Sequence, residues 1–207
     1  TGHGNTADAI EALQYAVNNG AWITNNSWGG AGYEESLYAA ISAANDAHQL
    51  FIAAAGNDTS NNDIYPNYPC NYNLPNVISV AATDSTDNLA VFSNYGEIKV
   101  DLAAPGVLIQ STLPYGYGPG SGTSMAAPHV AGACGLVWSK DTKQNYLDVR
   151  DTILNGVDDL ESLSGKCVTG GRLNVAKAMN NEGALWVTEY PAEGIVPVSG
   201  YSIVSVK

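Results

Sequence analysis

Two short runs of apolar residues limit what this chain can fold into. The run LFIAAA occupies positions 50–55, and the largely apolar run NVISVAA occupies positions 76–82. Both have the length of a strand and neither shows regular alternation of polar and apolar residues, which is typical of a strand buried on both faces. The chain is therefore predicted to be an α/β protein in which helices flank a parallel sheet.

Helical patterns occur around these runs. Segment 5–19 has apolar residues at helical spacing, with Asn5 as a predicted N-cap and Asp8 three residues later. A short strand is predicted at 21–27 and a second helix at 35–49. Because parallel sheets carry their sites beyond the carboxyl ends of the strands, the loops that follow the first two strands are candidate site loops.

One domain is predicted over residues 1–183. Its later helices are expected from Ser124 onward, over 148–156 and over 173–179. The pattern then changes, because residues 184–207 contain strand-like segments separated by Pro and Gly. This short β-rich tail is either a closing hairpin or the start of a further β module.

The charge balance excludes several classes of partner. The chain holds 20 acidic and 8 basic residues, for a net charge of −12, whereas nucleic acids and anionic membranes bind clusters of Lys and Arg. No apolar run reaches the roughly 18 residues that span a bilayer. We therefore expect neither nucleic acid nor a membrane as a partner. The first residues, TGHGNTADAI, lack a starting Met and a signal-peptide pattern, so we expect this sequence to begin within a longer polypeptide.

The cysteines leave the redox state of the chain open. Cys70, Cys134 and Cys167 allow one disulfide and one free thiol, and the sequence does not decide the pairing. Cys134 lies in an apolar helical run and is predicted to be a small buried side chain.

The most informative motif is SGTSMAAPHVAG at 121–132, where Ser124 follows Gly122 and Thr123 at the predicted start of a helix. Free N–H groups and the helix dipole there would stabilise an oxyanion, so Ser124 is a candidate nucleophile if a base accepts its proton. Pro128 is expected within the first helical turns, where its missing N–H costs least. The alternative is an ordinary helix start with small residues for packing.

A second candidate, Asn57, follows a strand and a glycine in the segment AAAGND. Its side-chain amide could donate a hydrogen bond to a developing oxyanion, an interaction worth about 3 kcal/mol of transition-state stabilisation. The alternative is a turn asparagine without a chemical role.

Five segments, taken in order, resemble the motifs of the subtilisin-like serine peptidases, the subtilases. They are NNSWGG, AAAGN, FSNYG, DLAAPG and GTSMAAPHVAG, and GGRLN fits near the end of the domain. The resemblance covers residues 5–182, and GTSMAAPHVAG is its most specific part. It implies the C-terminal two-thirds of a subtilisin-like catalytic domain, that is, an incomplete α/β domain with a parallel sheet flanked by helices.

The resemblance implies a serine endopeptidase that cleaves polypeptides through an acyl-enzyme. Ser124 corresponds to the nucleophile, and Asn57 corresponds to the oxyanion-hole amide that works with the backbone N–H of Ser124. An extended substrate would lie between two walls. The resemblance implies that one wall of the cleft is formed by Ser27, Trp28 and Gly29, and that the opposite wall, at the S1 pocket, is formed by Ala53, Ala54, Ala55 and Gly56. A wall of Ala and Gly predicts a roomy, apolar pocket for uncharged side chains.

The resemblance also bears on metals and location. Asp84 resembles a position that can bind Ca²⁺, a cation that prefers oxygen ligands, and the alternative is a turn aspartate in solvent. Any Ca²⁺ would be structural, because the implied chemistry requires no cofactor. A secreted or extracellular protein is expected.

The resemblance implies catalysis by a triad of Ser, His and Asp. The segments that would carry the His and the Asp are missing from this sequence. In the family, an Asp motif and a His motif precede the matching segments, and neither motif occurs here. His3 is not followed by the expected Thr-His, His48 ends a predicted helix, and His129 lies on the helix of Ser124 at an angle of about 140° from it.

We therefore expect an upstream segment of the same precursor to supply the Asp and the His, and the chain alone to be nearly inactive. Truncation, a nicked enzyme and a pseudo-enzyme are the three explanations that remain. The alternative function is a catalytically inactive peptide-binding or interaction module on the same fold.

Overall fold

A computed structural model describes residues 4–30 and 32–180 of the chain. Within them the strands are β1 (Ile23–Asn26), β2 (Leu50–Ala54), β3 (Val77–Thr83), β4 (Leu102–Pro105), β5 (Ile109–Leu113), β6 (Gly116–Gly120), β7 (Val157–Asp159) and β8 (Gly171–Leu173). The helices are α1 (Thr6–Asn18), α2 (Glu35–Asp46), α3 (Thr123–Lys140), α4 (Tyr146–Asn155) and α5 (Val175–Asn180), with a short 3-10 helix at Glu161–Leu163.

Six of these strands form one sheet, in the order β1-β2-β3-β4-β8-β7. Neighbouring strands from β1 to β8 in that order pair in parallel, and β7 runs antiparallel to β8. Helix α3 packs against β1 to β4, and α2 packs against β2. The predicted α/β fold, a parallel sheet flanked by helices, is confirmed.

Strand β2 shows why its sequence is uniformly apolar. Leu50 and Ile52 belong to the core that contains α3, α4 and α5, whereas Phe51 and Ala53 belong to the core that contains α1 and α2. Successive side chains of a strand point to opposite faces of the sheet. Because both faces are covered, every residue of β2 is buried.

The first helix begins as the sequence predicts, and the second ends earlier. Asn5 Oδ1 accepts a hydrogen bond from the Asp8 N–H at 3.0 Å, and Asp8 Oδ2 accepts one from the Asn5 N–H at 3.3 Å. Helix α2 ends at Asp46. His48 lies beyond it with a φ of 60° and stacks on Tyr146, with the ring centroids 5.3 Å apart, so it does not lie on the helix as predicted.

A glycine-rich segment that the sequence left unassigned forms a hairpin. Strands β5 and β6 pair in antiparallel register, and the chain continues from β6 almost directly into α3. The segment PYGYGPGSG at 114–122 has no regular alternation of apolar and polar side chains, which is the usual sequence signal of a strand. Its pairing is therefore visible only in the structure.

The three cysteines are free and buried. Cys134 has no exposed surface, which confirms it as a small core side chain, and burial raises the pKa of its thiol to about 12. The predicted tail at 184–207 lies outside the described residues. None of the helices within the described part of the chain is long and apolar enough to cross a membrane.

Two isoleucines provide a matched test of this core. Ile78 in β3 is fully buried, whereas Ile98 is 59% exposed. Ile78→Ala should lower the free energy of unfolding by about 2–5 kcal/mol, because it removes buried methyl groups and leaves a cavity. Ile98→Ala should change it by less than about 0.5 kcal/mol. Urea unfolding followed by tryptophan fluorescence measures both values, and similar losses in the two variants would contradict the described packing.

Candidate active site

The two predicted site loops lie together at the carboxyl edge of the sheet. Ser27 follows β1 directly, and Asn57 lies just beyond the end of β2. Ser124 is in the first turn of α3, whose amino end reaches both loops. A helix N-terminus therefore meets the ends of two parallel strands, where sheets of this kind carry their ligand sites.

Ser124 and Ser27 exchange two hydrogen bonds. The Oγ of Ser124 donates to the carbonyl of Ser27 at 3.2 Å, and the Oγ of Ser27 donates to the carbonyl of Ser124 at 2.8 Å. Both residues are half-buried. The pair fixes the first turn of α3 against the end of β1, so Ser27 supports the candidate nucleophile directly.

The bond from Ser27 replaces one that α3 cannot make. In a regular helix the carbonyl of Ser124 would accept a hydrogen bond from the N–H of residue 128, and Pro128 has no N–H. Because α3 begins at Thr123, Pro128 lies past the N–H groups that are unpaired at any helix start. The prediction that its missing N–H costs little at this position was therefore wrong, and the Ser27 hydroxyl offsets the loss.

Asn57 is held through its side-chain oxygen. Asn57 Oδ1 accepts hydrogen bonds from the N–H of Thr123 at 2.8 Å and from its Oγ1 at 3.1 Å. The same Oγ1 accepts one from the N–H of Gly56 at 3.1 Å. Because both bonds to the side chain fall on Oδ1, Asn57 Nδ2 has no hydrogen-bond partner among the described residues. It is a free donor next to the start of α3.

Ser124 and Asn57 line a common cavity of about 350 Å³. The predicted wall residues that line it with them are Trp28, Gly29, Ala54 and Gly56. Ser27 contacts Ser124 instead, and Ala53 and Ala55 have no exposed surface and lie in the core. Alternation along an extended chain directs these two alanines away from the cavity.

The cavity is more polar than the sequence predicts. The polar residues Asp58, Asn67 and Asn94 belong to its lining, whereas the Ala and Gly wall led us to expect an apolar pocket. Asn67 belongs to the long loop between β2 and β3, and Asn94 to the segment between β3 and β4. Neither position was predicted to face the site.

Three asparagines that the sequence analysis missed surround one carbonyl group beneath the cavity. The carbonyl of Ala55 accepts hydrogen bonds from the Nδ2 atoms of Asn62 at 2.9 Å, Asn67 at 3.0 Å and Asn94 at 3.1 Å. The backbone just before Asn57 is therefore firmly anchored. For Asn62 and Asn67 the sequence signal was the asparagine-rich composition of their loop, which is also typical of ordinary turns, and Asn94 lies in the FSNYG segment.

Comparison of the sequence with models of known protein families agrees with this geometry. The model of the Subtilase family matches residues 1–179 of the chain. This chain belongs to the subtilase family. Among curated subtilases, Thermitase from Thermoactinomyces vulgaris is 38% identical over 180 residues, which make up 86% of this chain and 61% of Thermitase. Subtilisin-like protease 2 from Plasmodium falciparum is 36% identical over 192 residues, which make up 90% of this chain and 14% of that protein.

Solved subtilase structures have the same fold. The prenylagaramide maturation protease PagA superposes with a TM-score of 0.76 at 30% identity, covering 86% of this chain and 68% of PagA. A cold-adapted subtilisin-like serine proteinase superposes with a TM-score of 0.71 at 31% identity, covering 84% of this chain and 61% of that chain. The chain spans less than two-thirds of the length of either curated relative.

Asp84, at which the resemblance suggested a calcium site, is hydrogen-bonded within its own turn. Asp84 Oδ1 accepts hydrogen bonds from the N–H and the Oγ1 of Thr86, both at 2.8 Å, and from the N–H of Asn88 at 3.0 Å. These bonds, with the Asn88 backbone as the largest cause, lower the pKa of Asp84. These donors occupy Oδ1 alone, and Ca²⁺ binding at Asp84 stays a prediction. Asp84 has the geometry of a turn aspartate.

No base is hydrogen-bonded to Ser124 in the described parts of the chain. Its Oγ bonds to the carbonyl of Ser27. His129 Nδ1 is 2.8 Å from the carbonyl of Met125 on α3, and His48 stacks on Tyr146. His3 lies outside the described residues. The subtilase site described here therefore consists of a serine, a free amide donor and a pocket.

Changing Ser27 and Pro128 together tests the support of Ser124. Ser27→Ala should lower the free energy of unfolding by about 1 kcal/mol, because the carbonyl of Ser124 loses its donor. In the Pro128→Ala background, where α3 regains an N–H, the same change should cost less than about half as much. Urea unfolding of the unsubstituted chain, Ser27→Ala, Pro128→Ala and the double variant measures the coupling between positions 27 and 128. Equal costs in the two backgrounds would show that the Ser27 bond does not replace the helical one.

Proposed function

We propose that this chain is part of a serine endopeptidase in which Ser124 attacks the peptide bond and Asn57 stabilises the oxyanion. The observation that carries the proposal is the shared cavity of Ser124 and Asn57, together with the hydrogen bonds from Thr123 that leave Asn57 Nδ2 free. Membership of the subtilase family supports the same assignment.

The proposed reaction is acyl transfer to the Ser124 hydroxyl. Ser124 Oγ forms a bond to the carbonyl carbon as its proton passes to a His side chain, and the carbonyl oxygen becomes an oxyanion between Asn57 Nδ2 and the N–H of Ser124. The C–N bond then breaks as the leaving amine takes the proton from the imidazolium. Water hydrolyses the resulting ester by the reverse proton transfers, so the proposed chemistry requires no cofactor.

The proposed substrate is an extended polypeptide that lies along the loop after β1. Gly30 exchanges backbone hydrogen bonds with Tyr68, each at 2.8 Å, which holds this loop in place on one side. Trp28 and Gly29 are exposed, line the cavity, and have no backbone hydrogen bond to another described residue. They can therefore pair with the backbone of an added strand. We place the protein outside the cell, where such a peptidase would act on other proteins.

The Asp and the His of the triad are proposed to come from an upstream segment of the precursor that packs beside β1. Within the described residues β1 is an edge strand of the sheet, and an edge strand presents N–H and C=O groups for pairing. Trp22 immediately before it is 48% exposed and packs against Trp138 in a tilted arrangement, with the ring centroids 4.9 Å apart. A further strand at this edge would also cover part of this aromatic surface.

Labelling with a fluorophosphonate tests the proposed nucleophile. Ser124 should be labelled in the full-length protein and in this chain mixed with the upstream segment. Labelling of this chain alone should be slower by about 10³-fold or more, because the base is missing. Ser124→Ala is the matched control and should remain unlabelled. Asn57→Ala should slow labelling by about 10²-fold or more. No labelling of Ser124 in any form would favour the inactive peptide-binding module.

Hydrogen exchange tests the proposed position of the upstream segment. Adding that segment should slow exchange at the solvent-facing amides of Ile23–Asn26 by about tenfold or more, because they gain strand partners. The opposite edge strand, Val157–Asp159, is the internal control and should be unchanged. Protection of β7 without protection of β1 would place the segment elsewhere.

A further inference from the structure

We propose that Asn94 is a positioning residue for the oxyanion-binding amide of Asn57. The proposal rests on the proposed function, because it concerns how the oxyanion donor of that site is held. Asn94 belongs to the FSNYG segment after β3 and is 1% exposed. It contacts the backbone on both sides of Asn57, and we call this set of hydrogen bonds the Asn94 clamp.

The first half of the Asn94 clamp holds the two residues before Asn57. The backbone N–H of Asn94 donates to the carbonyl of Gly56 at 2.9 Å, and Asn94 Nδ2 donates to the carbonyl of Ala55 at 3.1 Å. Gly56 has a φ of +112°, and a Cβ atom at this position would overlap Asn94 Nδ2. The glycine therefore permits both the backbone turn and the close approach of Asn94.

The second half of the clamp holds the residues after Asn57. Asn94 Oδ1 accepts hydrogen bonds from the N–H of Asp58 at 2.8 Å and from the N–H of Ser60 at 3.0 Å. Asn94 Nδ2 also donates to Asn62 Oδ1 at 3.0 Å. The side chain thus uses two donor and two acceptor positions, and three of these four bonds end on the backbone next to Asn57.

Asn57 itself depends on these neighbours for its backbone direction. It is exposed, and its backbone has no hydrogen bond to another described residue. Thr123 fixes the side-chain oxygen, but the direction of Nδ2 also depends on where the backbone places Cα and Cβ. The Asn94 clamp and Thr123 therefore hold Asn57 from two sides. A shift of about 1 Å in such a donor can cost about 10²-fold in rate.

A double-mutant cycle on the full-length protein separates positioning from loop stability. Hydrolysis of a peptide anilide is measured for the unsubstituted protein, Asn94→Ala, Asn57→Ala and the double variant, with each rate divided by the titrated concentration of active sites. Asn94→Ala should lower kcat by about 10- to 100-fold and leave KM within about twofold, because the oxyanion exists only in the transition state. In the Asn57→Ala background it should lower kcat by less than about threefold.

Two further variants keep the result interpretable. Asn76 is a fully buried asparagine at the start of β3, away from the site, so Asn76→Ala should reduce stability and leave kcat per active site within about twofold. Asn94→Asp retains the acceptor for Asp58 and Ser60 and loses the hydrogen bonds that Nδ2 donates to Ala55 and Asn62. Its loss in kcat should be smaller than that of Asn94→Ala, and the same cycle is run with it if the alanine variant does not fold.

The outcomes distinguish the two proposals. Losses that multiply in the double variant, or a loss confined to KM or to the fraction of active sites, would overturn the positioning role while leaving the peptidase assignment intact. If the unsubstituted full-length protein shows no hydrolysis that depends on Ser124, the proposed function fails and the role of Asn94 fails with it.

Discussion

The contact between the amino end of α3 and the ends of β1 and β2 determines the geometry of this site. Thr123 bonds to Asn57 and Gly56, and Ser124 exchanges hydrogen bonds with Ser27. These contacts can form because the apolar residues of α3 are buried against β1 to β4. Apolar burial is non-directional, whereas hydrogen bonds require particular distances and angles. Packing therefore brings the helix to the sheet, and the polar contacts fix which residues meet.

The parts of the fold that depend on local patterns could be predicted from the sequence. The uninterrupted apolar run of β2 indicated burial on both faces, and the spacing of Asn5 and Asp8 indicated a helix start, because each feature involves neighbouring residues. The placement of Ser27 and Asn57 at one edge followed from the parallel sheet, since the carboxyl ends of parallel strands lie side by side. These steps needed no knowledge of contacts that are distant in sequence.

The remaining features depend on pairs of residues that are far apart in sequence. The role of Ser27 required knowing that its hydroxyl meets the carbonyl left unpaired by Pro128. The asparagines around the carbonyl of Ala55 have the composition of turn residues, and their common target appears only when two loops fold together. The pocket was predicted to be apolar because the strand that forms one wall is rich in Ala, but the loop that faces it brings Asn67.

Among the described residues, no histidine or carboxylate is hydrogen-bonded to the side chain of Ser124 or Asn57. The order of strands in the sheet suggests where a proton acceptor could approach. Asn57 follows β2, Ser27 follows the edge strand β1, and Ser124 is bonded to Ser27. A strand added beyond β1 would lie about 4.8 Å further from β2, so a residue at its carboxyl end would flank Ser124 on the side away from Asn57. That order suits acyl transfer, because the hydroxyl loses its proton on one side while negative charge develops on the carbonyl oxygen at the other.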